Sequence, residues 1–217
     1  MSNNNEKSRE EILKKIRCVT EKKGISKLNI SEELNQSMKE KEKINYVSDL
    51  KLFLSKLKDV GATVSIISNT DELVKEVHLY VAKNQIKTTV TIPENSTLQD
   101  IDWNEADVTT QYDAESLIVS VTNASMGIEE TGTLVLLSSP SSPTGMNFLP
   151  EHHLIVLNSS NIVKSMEDVW KLLREDKREL PRTINLITGP SRTADIEYEI
   201  EIGAHGPKKL HVIIINE

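Results

Sequence analysis

A short stretch near the carboxyl terminus, TGPSRTADIE at residues 188–197, holds the residue types of an anion-binding site. Ser191, Arg192 and Thr193 follow a Gly-Pro break after the strand-like run INLIT. Free backbone N–H groups and the helix dipole favour an anion at a helix start, and an arginine adds a bidentate charged contact. We therefore predict that Gly189, Ser191, Arg192 and Thr193 bind a small anion, a carboxylate or a phosphate.

The helix in that prediction is itself an inference, because residues 194–202, ADIEYEIEI, alternate apolar and acidic side chains with the period of a strand. We predict a helix because Ser191 stands where an N-cap belongs and Gly203 stands where a helix often ends. A short helix would also supply the crossover between two parallel strands, INLIT and KLHVIII. In the simpler alternative, Ser191 only caps the helix and Arg192 pairs with Asp195 or another nearby carboxylate.

A second candidate segment is GIEETGT, residues 127–133. Gly132 permits a tight turn or a close approach of the backbone to a ligand, and we expect Thr131 and Thr133 to line the site with it. Glu130 supplies a carboxylate, a group that is chemically able to form a covalent acyl intermediate. In the structural alternative, Glu130 accepts hydrogen bonds from backbone N–H groups and shapes the loop.

We predict the role of each histidine from the sequence segment that contains it. His152 follows Pro150 at the entrance of a strand, after the Ser/Pro-rich loop SPSSPTGMNFLP, which is long enough to form a flap. We predict that His152, or its neighbour His153, meets the ligand. His205 is expected at the opposite end of the predicted helix from Ser191, bonded to backbone. Packing roles are expected for the other two histidines, His78 and His211.

Apolar strands alternate with helical patterns from Tyr46 onward, which predicts an α/β domain over residues 46–217. Its sheet should be open, largely parallel and covered on both faces, with the ligand site outside the carboxyl ends of the strands. Residues 94–111 are expected to be irregular. Residues 1–45 are polar and charge-mixed with few apolar anchors, which predicts a partly mobile N-terminal helical arm.

The amino-acid composition argues against several kinds of partner and site. The chain has 33 acidic and 26 basic residues and a net charge of −7, and its basic residues form no stripe with aromatic residues, so nucleic acid is not an expected partner. Cys18 is the single cysteine, and no His, Cys, Asp and Glu set has metal-ligand spacing, so we expect no metal site and no intrinsic cofactor. No apolar run approaches the ~20 residues of a membrane span, and a cytoplasmic location is expected.

Four segments, taken in order, resemble the LUD-domain family of lactate utilisation protein C: VTNASMGIEETGTLVLLS (121–138), FLPEHHLIVL (148–157), ITGPSRTADIE (187–197) and GAHGPKKLHVIIIN (203–216). The resemblance implies an open, Rossmann-like α/β sheet of the NagB/RpiA/CoA-transferase-like group. It also implies a component of a cytoplasmic system that oxidises L-lactate to pyruvate. That system would include two iron-sulfur partner proteins, which would hold the clusters.

The resemblance leaves three roles open. The chain would be a small-anion-binding or assembly subunit, an enzyme of acyl or CoA transfer or related ligation, or a ligand-sensing scaffold without chemistry. Glu130 loosely resembles the nucleophilic glutamate that precedes an x-Gly step in related CoA transferases. The sequence departs from the family pattern in two places: Glu129 stands where alanine is expected, and the flap lacks an arginine that many relatives carry before Leu-Pro.

Overall fold

The computed structural model of the chain describes Lys14 and residues 49–216, with gaps at residues 95, 104–106, 141, 176–180 and 195–199. For residues 193, 194 and 200–202 it describes the backbone alone. Residues 49–216 belong to one unit, which spans Val47–Glu217. The predicted helical arm lies, apart from Lys14, outside the described residues, so the boundary between residues 45 and 46 stays a prediction.

The described residues form four α-helices: α1 (Leu50–Asp59), α2 (Leu73–Lys83), α3 (Gly145–Phe148) and α4 (Met166–Glu175). They also form twelve strands: β1 (Thr63–Ile67), β2 (Val90–Thr91), β3 (Val108–Thr109), β4 (Val119–Asn123), β5 (Met126–Ile128), β6 (Thr133–Leu137), β7 (His152–Asn158), β8 (Ile162–Val163), β9 (Ile184–Ile187), β10 (Arg192–Ala194), β11 (Ile200–Ile202) and β12 (Lys209–Ile215).

Six strands form a sheet in the order β1-β12-β7-β4-β2-β3, and every neighbouring pair is parallel. The predicted α/β class with a largely parallel sheet is confirmed. The central strands β4, β7 and β12 are almost wholly buried, as parallel strands covered on both faces usually are. Strand β3 lies within residues 94–111, so that region is not wholly irregular as predicted.

A second, four-stranded sheet has the order β8-β5-β6-β9 and is mixed, with β6 antiparallel to both of its neighbours. One face packs with α1 against the six-stranded sheet through a core that includes Phe53, Leu136 and Ile155. Its other face carries α4, through Val135 and Val169 among others. Helix α2 covers the opposite face of the six-stranded sheet. The larger sheet is therefore buried on both sides.

The helix predicted after Ser191 is wrong. The segments Arg192–Ala194 and Ile200–Ile202 pair as the antiparallel strands β10 and β11, and Gly203, with φ of +87°, follows the second strand. The period-two alternation of the sequence was the correct signal. The crossover argument failed because β9 joins the four-stranded sheet, whereas β12 lies in the six-stranded sheet, so the two are not parallel neighbours that need a crossover.

Candidate functional site

The two predicted loop segments, residues 127–133 and 188–193, meet beside the carboxyl-terminal half of α1. Thr133 Oγ1 lies 2.6 Å from Thr188 Oγ1 across the ends of β6 and β9. Thr131 Oγ1 lies 2.7 Å from Thr133 Oγ1 in turn. The three hydroxyl groups form one hydrogen-bonded chain that links the two segments.

Two glycines let these loops approach α1 closely. A Cβ atom on Gly132 would lie 2.7 Å from Cβ of Lys56, and one on Gly189 would lie 3.0 Å from Cγ2 of Val60. Both glycines have positive φ, +67° and +109°, which residues with side chains rarely adopt. The close approach predicted at Gly132 is therefore made to helix α1 of the protein itself.

Arg192 projects from the first residue of β10 toward the turn that joins α1 to β1. Its side chain is exposed, and a Cβ atom on Gly61 would overlap its guanidinium group. Asp195, the alternative partner predicted for Arg192, lies outside the described residues, and the side chain of Thr193 is not described. The structure thus brings Arg192 to the same end of α1 as Gly132 and Gly189.

Ser191 binds the loop before β12 and does not cap a helix. Its N–H donates to the carbonyl of Pro207 at 2.8 Å, and its Oγ accepts from the N–H of His205 at 3.4 Å. The prediction that His205 lies far from Ser191 is wrong, because it depended on the intervening helix. The end of the predicted flap lies here as well, since a Cβ atom on Gly206 would be 4.0 Å from the carbonyl oxygen of Phe148.

These loops lie at the amino ends of the strands of the six-stranded sheet. Gly61 precedes β1 and Pro207 precedes β12, and they contact Arg192 and Ser191 respectively. The prediction of a site at the carboxyl ends of the strands is therefore wrong for these loops. The rule behind it applies to loops that continue a parallel strand. Here the segment leaves the other sheet through β9 and approaches from the opposite end.

The two adjacent glutamates of the second segment have different environments. Glu129 is only 3% exposed, and its carboxylate accepts a hydrogen bond from the N–H of Asp49 at the start of α1. A carboxylate is favoured there by the positive end of the helix dipole. Glu130 is exposed in the turn between β5 and β6, and its N–H donates to the carbonyl of Lys164 at 3.1 Å. The catalytic role of Glu130 stays a prediction.

His152 lies apart from the loops, in a polar group on the α2 face of the sheet. Its Nδ1 is 3.0 Å from the hydroxyl oxygen of Tyr80, and the Tyr80 ring lies 4.6 Å from the His211 ring, measured between centroids. Burial lowers the pKa of His152 below its usual 6.5 and raises the pKa of Tyr80 to about 12. Both side chains are therefore neutral near pH 7.

His211 is a member of this polar group that the sequence did not indicate. Its Nδ1 lies 2.8 Å from Thr63 Oγ1, while its Nε2 lies 3.2 Å from Ser65 Oγ and 3.6 Å from Glu76 Oε1. Burial lowers the pKa of His211, and the nearby Glu76 carboxylate opposes that shift. Three separate elements, β1, α2 and β12, supply these side chains, so no local motif could have revealed the group.

Among the described residues, no three His, Cys, Asp or Glu side chains come together as a metal site. Within the same part of the chain, no helix has the length and apolar character needed to cross a membrane. His153, the second histidine considered for the ligand site, is fully buried with its Nε2 2.7 Å from Thr122 Oγ1. It is a core residue of the six-stranded sheet.

The sequence profile of the LUD domain matches residues 50–215. The chain belongs to the LUD-domain family. Curated relatives include lactate utilization protein C of Anoxybacillus flavithermus, 36% identical over 104 residues, and lactate utilization protein C of Bacillus subtilis, 34% identical over 107 residues. Each match covers 48% of this chain, and 46% and 45% of the two relatives. The chain thus spans just under half the length of the curated relatives it matches.

A solved structure also resembles the chain. The crystal structure of a DUF162 family protein from Deinococcus radiodurans aligns with a TM-score of 0.57 over 76% of this chain and 95% of that protein, at 21% sequence identity. At this level of identity the likeness shows the fold alone. The LUD-domain membership predicted from the four segments is confirmed, as is the predicted α/β fold.

Proposed function

We propose that this LUD-domain chain is a component of a cytoplasmic L-lactate utilisation system, in which it serves as a small-anion-binding or assembly subunit. The LUD match over residues 50–215 and the relatives named lactate utilization protein C support the proposal. In this proposal, L-lactate is oxidised to pyruvate together with two iron-sulfur partner proteins, and those partners hold the clusters. The described chain contributes binding or assembly.

The anion-binding part of the proposal rests on one observation: the two loops meet beside the exposed side chain of Arg192. Without a helix after Ser191, no positive helix end faces this site, and the Ser191 N–H already donates to the carbonyl of Pro207. The groups still available to bind an anion are the positive charge of Arg192 and the five N–H donors of its guanidinium group. The hydroxyl chain of Thr131, Thr133 and Thr188 lies at the same end of α1. A small carboxylate or phosphate is the ligand class that this set of donors suits.

A thermal-shift panel with phosphate, L-lactate, pyruvate and coenzyme A tests anion binding, because a ligand of the native state raises its apparent stability. The expected result is a rise in Tm with one ligand class for the wild type and for the control Arg182→Ala, which removes another exposed arginine. Arg192→Ala should lose the shift. A shift that survives Arg192→Ala, or silence across the panel, would refute the anion site and favour an assembly role.

Membership of the lactate system needs a second experiment with the iron-sulfur partners. We expect the chain to co-purify with them and to raise the rate of L-lactate-dependent dye reduction. If the partners alone reduced the dye at the full rate and never bound the chain, the proposed role in the system would be wrong.

A further inference from the structure

We propose that a cavity beside helix α2 binds a small molecule with an anionic group at one end and a hydrogen-bond donor at the other. The cavity has a volume of about 350 Å³, near the lower limit for small-molecule sites. It lies on the α2 face of the six-stranded sheet, and its lining extends to Gly61, against which the Arg192 guanidinium group lies. The proposal does not depend on a role in lactate utilisation. The side chains that carry the argument are Ser65, Glu76, Tyr80, Lys83, Lys209 and His211.

Helix α2 gives the cavity a wall with a charge at each end. Glu76, Tyr80 and Lys83 follow the spacing i, i+4 and i+7, which places them on one helical face. Seven residues of helix separate the Cα atoms of Glu76 and Lys83 by about 10 Å. A carboxylate therefore lies at one end of the wall and an ammonium group at the other.

The end of the cavity at Glu76 presents hydrogen-bond acceptors. Thr63 Oγ1 lies 3.4 Å from the carbonyl oxygen of Leu210 and 2.8 Å from Nδ1 of His211. A proton on Nε2 of His211 faces the Glu76 carboxylate, which accepts from it, and Ser65 Oγ lies 3.2 Å from the same nitrogen. The Glu76 side chain is 23% exposed, so its oxygens are accessible from the cavity. A hydroxyl or ammonium group of a ligand would find acceptors here.

The other end carries positive charge. Lys208 is already paired with Glu151 at 2.7 Å, which balances its charge. Lys209 donates to the neutral amide oxygen of Asn84 at 2.7 Å, and Lys83 is exposed beside it on α2. Within the described residues, no carboxylate forms an ion pair with either Lys83 or Lys209. A ligand carboxylate or phosphate would supply the missing negative charge.

The spacing of the two ends sets the length of the ligand. Lys209 and His211 are two residues apart on the same face of β12, so their Cα atoms are about 7 Å apart. The Tyr80 ring stands against His211 and forms an apolar wall between the polar ends. A short chain of about four carbon atoms would join an anionic group at Lys209 to a donor that binds the Glu76 carboxylate beside His211.

Four acids with the same four-carbon skeleton test this proposal in a two-dimensional NMR titration of the full chain. The γ-hydroxybutyrate and γ-aminobutyrate ions carry a donor at the far end, butyrate carries none, and succinate carries a second carboxylate. We expect the two donor-bearing acids to shift the amide signals of residues 63–65 and 209–211. They should bind about tenfold or more tightly than butyrate and succinate, because a hydrogen bond to a charged group is worth that factor. The stronger of the two identifies the donor as hydroxyl or ammonium.

Matched variants separate the two ends of the cavity. Glu76→Gln should weaken the donor-bearing acids about tenfold and reduce the discrimination against succinate, while Lys83→Gln should weaken all four acids. Lys75→Gln, at an exposed position of α2 outside the cavity lining, should change nothing. Arg182→Ala, which removes an exposed arginine outside the cavity lining, should also leave this binding intact. Equal binding of all four acids, undiminished binding in Lys83→Gln, or unshifted amides at residues 63–65 and 209–211 would overturn the proposal.

Discussion

At the scale of single residues, the adjacent side chains of Glu129 and Glu130 have different roles in the structure. The buried Glu129 carboxylate accepts a hydrogen bond from the N–H of Asp49, while the Glu130 side chain is exposed. Asp49 in turn accepts from the N–H groups of Lys51 and Leu52, so both carboxylates stabilise the first turn of α1. The residue that departs from the family pattern, Glu129, is therefore a structural group that orders the helix beneath the loops.

Exchanging each glutamate for glutamine tests this division. Glu129→Gln should lower the free energy of unfolding by about 1–2 kcal/mol, because it removes a charge-assisted bond at a helix start. Glu130→Gln should stay within about 0.5 kcal/mol of the wild type. Urea titrations followed by circular dichroism give both values. Equal losses would contradict the assignment, and a loss of acyl-transfer activity in a fully stable Glu130→Gln would restore the enzyme alternative.

At the scale of elements, patterns that are local in sequence predicted the structure best. Asn69 accepts from the N–H of Glu72, and Ser165 exchanges hydrogen bonds with Asp168, as expected of residues that begin helices. The strands β9 and β12 lie within the predicted strand runs INLIT and KLHVIII. The segment after Ser191 was mispredicted because its structure depends on which sheet β9 joins. Packing between distant parts of the chain determines which sheet β9 joins.

Predictions about the candidate site also failed where they depended on contacts between distant parts of the chain. Residues 127–133 and 188–193 were expected to line one site at the carboxyl ends of the strands, and they do meet, although at the amino ends of the six-stranded sheet. The location of His152 in another group was not foreseen. His211 was expected only to pack, and its polar contacts were not predicted because its partners Thr63 and Glu76 lie far away in sequence.

Gly127 of strand β5 provides a test of how tightly the second sheet packs on α1. A Cβ atom there would lie 2.8 Å from Cδ2 of Leu157 and 2.9 Å from Cζ of Phe53, closer than packed carbon atoms approach. Gly127→Ala should therefore lower the free energy of unfolding by about 1–3 kcal/mol. The double variant with Phe53→Leu should lose less than the sum of the two single losses, since the smaller side chain relieves the overlap. Strict additivity in urea unfolding would show that the overlap is relieved elsewhere.

At the scale of the whole molecule, buried neutral histidines make stability depend on pH. Burial lowers the pKa of His153 from 6.5 to about 3. The unfolded chain therefore binds one more proton at this residue between those two values, and protonation favours unfolding. The contribution of neutral His153 is complete above about pH 6.5 and is lost progressively as the pH falls toward 3. His152 and His211, whose pKa values are also lowered by burial, act in the same direction.

The free energy of unfolding should accordingly fall as the pH is lowered from 6.5 toward 3, with a contribution from His153 of up to about 1.4 kcal/mol per pH unit. Urea unfolding of the wild type and of His153→Asn across this range measures it. The variant should show a shallower dependence on pH whatever its stability at pH 7. Parallel curves for the two proteins would mean that His153 becomes protonated in the folded state.

The position of β12 in the six-stranded sheet has a consequence for how the protein is made. This strand follows both β1 and β7 in the sequence, yet it lies between them in the sheet, and the contact of Thr63 with His211 joins residues 148 positions apart. While a ribosome is still synthesising the chain, β1 and β7 have no strand between them, and both present unpaired edges. Such distant pairing makes folding slow, and open edges invite association with other chains. Newly made molecules should therefore depend on chaperones during the interval before β12 is released.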